Sequence, residues 1–300
     1  MNLNVKRIVF TLVSFLGIAI PALAQPGAVK KAADAAFTLT TFKTDGSILA
    51  TSNGVCIGVD GVAVSPWKPF IGAEKAVVVD AKGQKHDVMY LLGADEIYDM
   101  AKFKVSGKTS AAPLATTVSA GEELWIAPMA KSGSPLKASA SSVETFMGKY
   151  HYTILNSPAT DKLNGAPVCN AKGQVIGLFS LSGSLQSATD AGYARSFVLK
   201  GLSQNDATLR QSAIRIGLPD TAEEAVVALM LSSEKPESVH EAVVKDFMEK
   251  FPQANDGYYA WANRMIAKGD IAEADKTLQT AIGKVTAKDE AFYNYARLIY

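Results

Sequence analysis

Up to about residue 205 the apolar positions come in short runs rich in Val, Ile, Thr and Phe. They include Gly54–Val59, Val62–Ser65, Ala76–Asp80, Leu124–Pro128, Tyr152–Leu155 and Val175–Leu181, with turn pairs at Asp60-Gly61, Lys82-Gly83 and Lys172-Gly173. Short runs at regular spacing, bounded by glycine turns and lacking a helical period, predict an antiparallel barrel or sandwich. Beyond residue 205 the period changes. Alanine-rich amphipathic stretches at Thr221–Ser232, Glu237–Lys250, Asp256–Lys268 and Ile271–Lys284 predict helices, punctuated by Lys235-Pro236, Phe251-Pro252 and Gly269-Asp270.

The helical part repeats. Tyr258-Tyr259 followed by Ala262 returns as Phe292-Tyr293 followed by Ala296, every position displaced by the same step, with Gly269-Asp270, Glu273-Ala274 and Ala281 between them. This resembles the tetratricopeptide repeat, which has that period and whose paired antiparallel helices meet at small residues while aromatics fill the next groove. The resemblance implies repeat-packing roles for Tyr258, Tyr259, Ala262, Gly269, Ala274, Ala281, Phe292 and Tyr293. Glu237–Pro252 looks like the second helix of a more degenerate preceding repeat. An array ending at Tyr300 is expected to leave an apolar face for a partner or for further chain.

Residues 1–24 read as a leader. Lys6-Arg7 precedes an apolar stretch from Ile8 to Ile20, and Ala22-Leu23-Ala24 before Gln25 has the small-x-small form of a cleavage site. The stretch is shorter than the roughly 20 residues a membrane-spanning helix needs. The mature chain is therefore expected to be exported, periplasmic or secreted, and not membrane-spanning. Formal net charge is +1, from 30 Lys and Arg against 29 Asp and Glu, and no basic run exceeds Lys30-Lys31. Nucleic acid is not expected as a partner. Cys56 and Cys169 lie in apolar strand-like runs. They read as buried thiols, although an oxidising compartment would also permit one disulfide.

Five segments of the strand-rich part, taken in order, are similar to the HtrA-like branch of the trypsin-like serine proteases. Ser47–Ser65 looks like the strands before the catalytic histidine, and Lys75–Val88 like the hairpin after it. Tyr98–Val105 is similar to the strand that begins with the catalytic aspartate. Asn164-Gly165-Ala166-Pro167 stands where the family has its serine and following glycines, and Gly192-Tyr193-Ala194 resembles the strand flanking substrate. The resemblance implies a double antiparallel β-barrel over 37–204. Around it come a short N-terminal segment at 25–36, a linker at 205–220 and an all-α repeat segment at 221–300. Carried over residue by residue, the triad equivalents are Lys68 for histidine, Asp99 for aspartate and Asn164 for serine, with Lys162 in the oxyanion loop. Gly165, Gly192, Tyr193 and Ala194 are the candidates for a peptide cleft.

The chemistry of that site is depleted. Lysine, with an ordinary pKa of about 10.4, donates protons at neutral pH, and asparagine offers no hydroxyl for an acyl intermediate. Losing members of such a triad costs several orders of magnitude in rate. Lys68 and Asp99 are expected to form a structural ion pair, unless Lys68 is simply a solvated loop lysine. The three histidines, His86, His151 and His240, sit in separate segments without metal-ligand spacing, so neither a metal site nor a cofactor is expected. His151 could approach the cleft or be an ordinary strand residue, and Ser157, Thr160 and Cys169 are the nearest hydroxyls and thiol to Asn164. The expected function is a catalytically inactive protease homologue that binds protein or extended peptide, with repeats for protein interaction. Two alternatives stay open: an active serine-type endopeptidase with a rearranged site, and a repeat-mediated adaptor whose barrels are only structural.

Overall fold

The computed structural model describes residues 27–299, so the leader read at residues 1–24 lies outside the described residues. Strands β1 (Ala36–Phe42), β2 (Ile48–Cys56), β3 (Val62–Ser65), β4 (Lys75–Asp80), β5 (Lys85–Asp95) and β6 (Met100–Val105) close into one antiparallel barrel in the order β1-β2-β3-β6-β5-β4. Strands β7 (Glu123–Ile126), β8 (Leu136–Phe146), β9 (Tyr150–Asn156), β10 (Pro167–Asn170), β11 (Val175–Ser182) and β12 (Leu185–Asp190) close into a second. The second barrel runs β7-β8-β9-β12-β11-β10, which is the strand order of the first. Two closed six-stranded barrels followed by helices are the architecture the chain was expected to adopt.

Alternation builds each barrel. Along β1, Phe37, Leu39 and Thr41 are buried while Thr38, Thr40 and Phe42 are partly exposed, as a period of two requires when one face meets a core. Phe37 meets Phe103 edge to face at 6.0 Å, and Trp67 stacks on Phe70, so large rings fill the first barrel. The second barrel is filled by Leu124, Ile126, Val168 and Phe179, with Ala138, Ala140 and Ala188 where strands crowd. A third cluster lies in the seam between the barrels, joining Val55, Val64 and Met100 to Trp125, Cys169, Val175 and Tyr193. Helix α1 (Val29–Ala35), within the short N-terminal segment read at 25–36, buries Val29 and Ala32 in that seam. Cys56 and Cys169 are free and buried, with burial pushing their thiols up to about 11 and about 12 respectively.

Residues 191–217 return to the first barrel through three short 3-10 turns at Ala191–Ser196, Gly201–Asn205 and Leu209–Gln211. Leu199, Leu209, Ile214 and Ile216 join the first barrel's core, and the N–H of Leu91 donates to the Arg215 carbonyl at 2.9 Å. Much of the stretch expected as a linker is therefore wall of the first barrel. Its apolar residues are too widely spaced to show a strand or helix period, which hid this from the sequence.

Further helices follow: α2 (Ala222–Ser232), α3 (Glu237–Lys250), α4 (Asn255–Ala267), α5 (Ile271–Lys284) and α6 (Lys288–Ile299). Side-chain caps start two of them, with Thr221 accepting from the Glu224 N–H and Asp270 from the Glu273 N–H. α3 and α5 have the same length. The step from Glu237 to Ile271 that relates their starts also carries the buried Val243, Val244 and Phe247 of α3 onto the buried Thr277, Leu278 and Ala281 of α5. Among the expected packing residues, Tyr258, Ala262, Ala274 and Ala281 are buried, Tyr259 is half-buried, and Gly269 ends α4 at φ +81°. Phe292 and Tyr293 are not: both are exposed on α6. Arg215 ties the helices to the barrels by pairing with Asp246 of α3 and lying over the Tyr90 ring of β5. Among the described residues no helix is long and apolar enough to cross a membrane.

Candidate functional site

The seam between the barrels opens into a cleft of about 450 Å³ whose lining includes Lys68, Asp99 and Asn164. Residues far apart in sequence are brought to one site because β3 and the β5–β6 turn of the first barrel face the β9–β10 connection of the second. The remaining wall comes from Ile97, Tyr98, Tyr152 and the ends of β11 and β12.

Asp99 has an uncommon backbone for a non-glycine residue, with φ at +47°, and its Oδ1 accepts the backbone N–H of Lys68 at 2.8 Å. That bond caps the 3-10 turn Lys68–Phe70, which places the stacked Trp67 and Phe70 in the core. The Lys68 ammonium lies 3.7 Å from Asp99 Oδ2 with its side chain 78% exposed. An ion pair this exposed contributes little, so Asp99 here holds backbone more than it holds charge.

Asn164 is turned across the cleft. Its Oδ1 accepts the N–H of Leu181 on β11 at 2.7 Å, and its carbonyl accepts from Asn53 Nδ2 at 2.9 Å and from the Asn53 N–H at 3.2 Å. The next residue, Gly165, has φ +84°, and a Cβ there would lie 2.2 Å from the Asn53 carbonyl oxygen and 2.8 Å from Pro66. Only glycine fits. Asp161–Leu163 forms a 3-10 turn that closes on itself: the Leu163 N–H donates to the Thr160 carbonyl and the Asn164 N–H to the Asp161 carbonyl. The Gly165 and Ala166 N–H groups donate to the Phe179 and Leu163 carbonyls. Successive N–H groups from Leu163 to Ala166 are thus spent on protein oxygens, whereas an oxyanion needs preorganised free donors. Lys162 is exposed on this turn, its carbonyl held by Asn53 Nδ2 at 3.0 Å.

Two of the other polar groups near Asn164 are committed elsewhere. Ser157 Oγ donates to Gln186 Oε1 at 2.7 Å, and Tyr152 donates to Ser187 Oγ at 2.9 Å. No histidine lines the cleft among the described residues. His151 Nδ1 sits 3.1 Å from Asp190 Oδ2, and strand alternation leaves its neighbour Tyr152 on the cleft. His86 Nδ1 donates to the Ser106 carbonyl at 2.7 Å. A serine–histidine contact does occur, but remote from the cleft: Ser232 Oγ and His240 Nδ1 are 2.7 Å apart between α2 and α3. Ser232 is fully buried and gives its proton to the Leu229 carbonyl at 2.6 Å. His240 therefore donates to Ser232, the reverse of what activating a nucleophile requires. Among the described residues no group of three or more His, Cys, Asp or Glu side chains could hold a metal.

Gly165, expected on the cleft, is not part of its lining, and neither are Gly192, Tyr193 and Ala194. They form a buried 3-10 turn in which Gly192 N–H donates to Asp190 at 2.7 Å. Tyr193 is the hub of a ring cluster with Tyr98, Phe146, Tyr150 and Phe197, and its hydroxyl donates to Asp95 at 2.8 Å. Burial raises its pKa, with the Asp95 bond adding to the shift. The aromatic side chain drives this segment inward, and the cleft wall falls to Ser180–Ser182 of β11 instead. Nothing local in the sequence marks Asn53, Tyr152 or Leu181 as site residues, since each arrives by strand pairing. No protein-family model matches the chain, and no curated protein is significantly similar to it in sequence.

Proposed function

We propose that the chain is an exported, non-catalytic relative of the trypsin-like proteases that serves as a protein- or peptide-binding scaffold, with its helices as a tetratricopeptide-like interaction segment. The observation that carries this reading is the cleft. Its lysine is exposed beside an aspartate that caps a turn, its asparagine is hydrogen-bonded across to β11, and the N–H groups from Leu163 to Ala166 donate to protein carbonyls. Such a cleft lacks a base, a nucleophile and an anion acceptor together.

Binding by strand addition needs an open strand edge. The end of β11 pairs with β12 on one side, and on the other the Leu181 N–H is held by Asn164. An extended segment entering here competes with the Asn164 amide. The reading is tested by incubating residues 25–300 with a labelled denatured protein for a day, beside Asp99→Ala and Asn164→Ala. No cleavage above buffer is expected from any of the three, and fluorescence anisotropy should show tighter capture by Asn164→Ala, which frees the edge donor. Cleavage by the native chain that disappears in either variant overturns the reading.

A further inference from the structure

A second cavity, of about 400 Å³, opens where the segment returning to the first barrel meets the start of α3. It shares no residue with the cleft. Its floor is apolar and comes from both sides: Leu209, Ile214 and Ile216 belong to the first barrel's core, and Val239 and Val243 to α3. Its polar groups are few. Gln204 is 6% exposed and gives one amide N–H to the Gly217 carbonyl at 3.3 Å, which leaves its second N–H without an acceptor among the described residues. Arg210, Arg215 and Lys235 bring three cations to the lining, against the single carboxylate of Glu74. Arg215 is neutralised by Asp246. Neither Arg210 nor Lys235 has an ion-pair partner among the described residues. Set against Glu74, these two cations leave the cavity with one positive charge in excess. Lys235 is half-buried, so solvent screens its charge only in part.

We propose that this cavity binds a small amphipathic monocarboxylate, with its apolar body on the floor and its head group among Arg210, Lys235 and the free Gln204 N–H. A concave, mostly apolar lining with a few convergent polar groups is the form that small-molecule sites take, and the volume lies in their range. Charge sets the class of ligand. One excess positive charge suits one carboxylate, a cation is repelled, and a neutral apolar molecule leaves the Gln204 N–H unused. Guanidinium and ammonium groups give a carboxylate charge-assisted hydrogen bonds, which are stronger than neutral ones. The walls belong to the first barrel and to α3, so the occupant bridges them and its binding stabilises their junction. The site stands apart from the cleft and does not depend on the non-catalytic reading.

The probe is sodium decanoate, titrated below its micellar range into residues 25–300 by isothermal titration calorimetry. One saturable site per chain is expected, together with a rise in melting temperature. Lys235→Glu and Arg210→Glu should each weaken binding at least tenfold. Val239→Trp, which fills the cavity from α3, should abolish it. Arg210 is exposed and Lys235 half-buried, so circular dichroism of the two charge variants should match the parent. Decyltrimethylammonium, the same chain with the charge reversed, should bind at least tenfold more weakly than decanoate. Absence of saturable binding overturns the proposal. Equal binding of decyltrimethylammonium also overturns it, since the cavity would then select for the chain and not the head group. Decanoate binding that survives both charge reversals overturns it for the same reason, and these two variants decide the matter even if Val239→Trp fails to fold. The cleavage assay on the cleft is independent of all these outcomes, so a failure here leaves the non-catalytic reading where it stands.

Discussion

Asp99 serves the backbone of the turn beside it. Its carboxylate accepts the Lys68 N–H from a backbone in the left-handed region, where Asp is better tolerated than bulkier residues. Replacing it with alanine removes the cap and keeps the unfavourable φ, for an expected loss of about 1–2 kcal/mol in urea unfolding. Asp99→Asn keeps an acceptor oxygen and should lose less than half of that. Lys68→Ala should change stability by no more than about 0.5 kcal/mol, because the ion pair it makes is open to solvent. Gly165→Ala combines a forbidden φ with a carbonyl 2.2 Å from the new Cβ, so a loss of about 3 kcal/mol or more, or failure to fold, is expected. The double substitution Lys68→His with Asn164→Ser should still give no hydrolysis of a chromogenic ester. The Leu163 and Asn164 backbone donors would remain inside their own turn.

At the scale of the element, the helices carry a pH dependence. Desolvation, and then the positive charge of Arg264, lower the pKa of His240 from its ordinary 6.5. The unfolded chain therefore takes up the proton more readily than the folded one. The stability this histidine adds is complete above its ordinary pKa and is lost as pH falls through the lowered folded value. Urea melts followed by helical circular dichroism from pH 7.5 to 5 should show that loss, and His240→Gln should reduce the slope. The same elements show what could be read from the chain. The bounds of α3 and α5 were legible to the residue because proline or aspartate starts each one and their apolar period is unbroken. The strand runs of the barrels were legible for the same kind of reason, through alternation and glycine turns. Lys68, Asp99 and Asn164, which line one cleft, were singled out through short motifs beside Gly165 and at Tyr98-Asp99. Asn53 and Leu181 were missed because a strand residue's partner is fixed by register, which no local pattern encodes. Gly192–Ala194 misled, since a glycine beside a ring reads equally well as a cleft wall or as a buried turn.

Across the whole molecule, α2 and α3 pack on the segment that returns to the first barrel, with Gly201 close to Val227 and its N–H donated to Glu224 at 2.6 Å. Arg215 pairs with Asp246 and covers Tyr90, while Lys250 donates to the Leu218 carbonyl at 3.1 Å and to Asp220 at 2.8 Å. Arg215→Ala leaves a half-buried carboxylate without its partner and should cost about 1–3 kcal/mol after allowing for solvent. Calorimetry should then resolve two transitions in place of one. Helix α1 binds the molecule together from the other end. It lies ahead of the first barrel in sequence but packs on β10, and the Ala28 carbonyl comes within 2.1 Å of where a Cβ on Gly173 would stand. The first described element to leave a ribosome thus has its seat in the β10–β11 hairpin, with all of the first barrel and half the strands of the second in between. Either barrel can close while α1 waits, so the step that buries Val29 and Ala32 comes late on the folding route, and a chain stalled before residue 175 would leave them as a handle for chaperones.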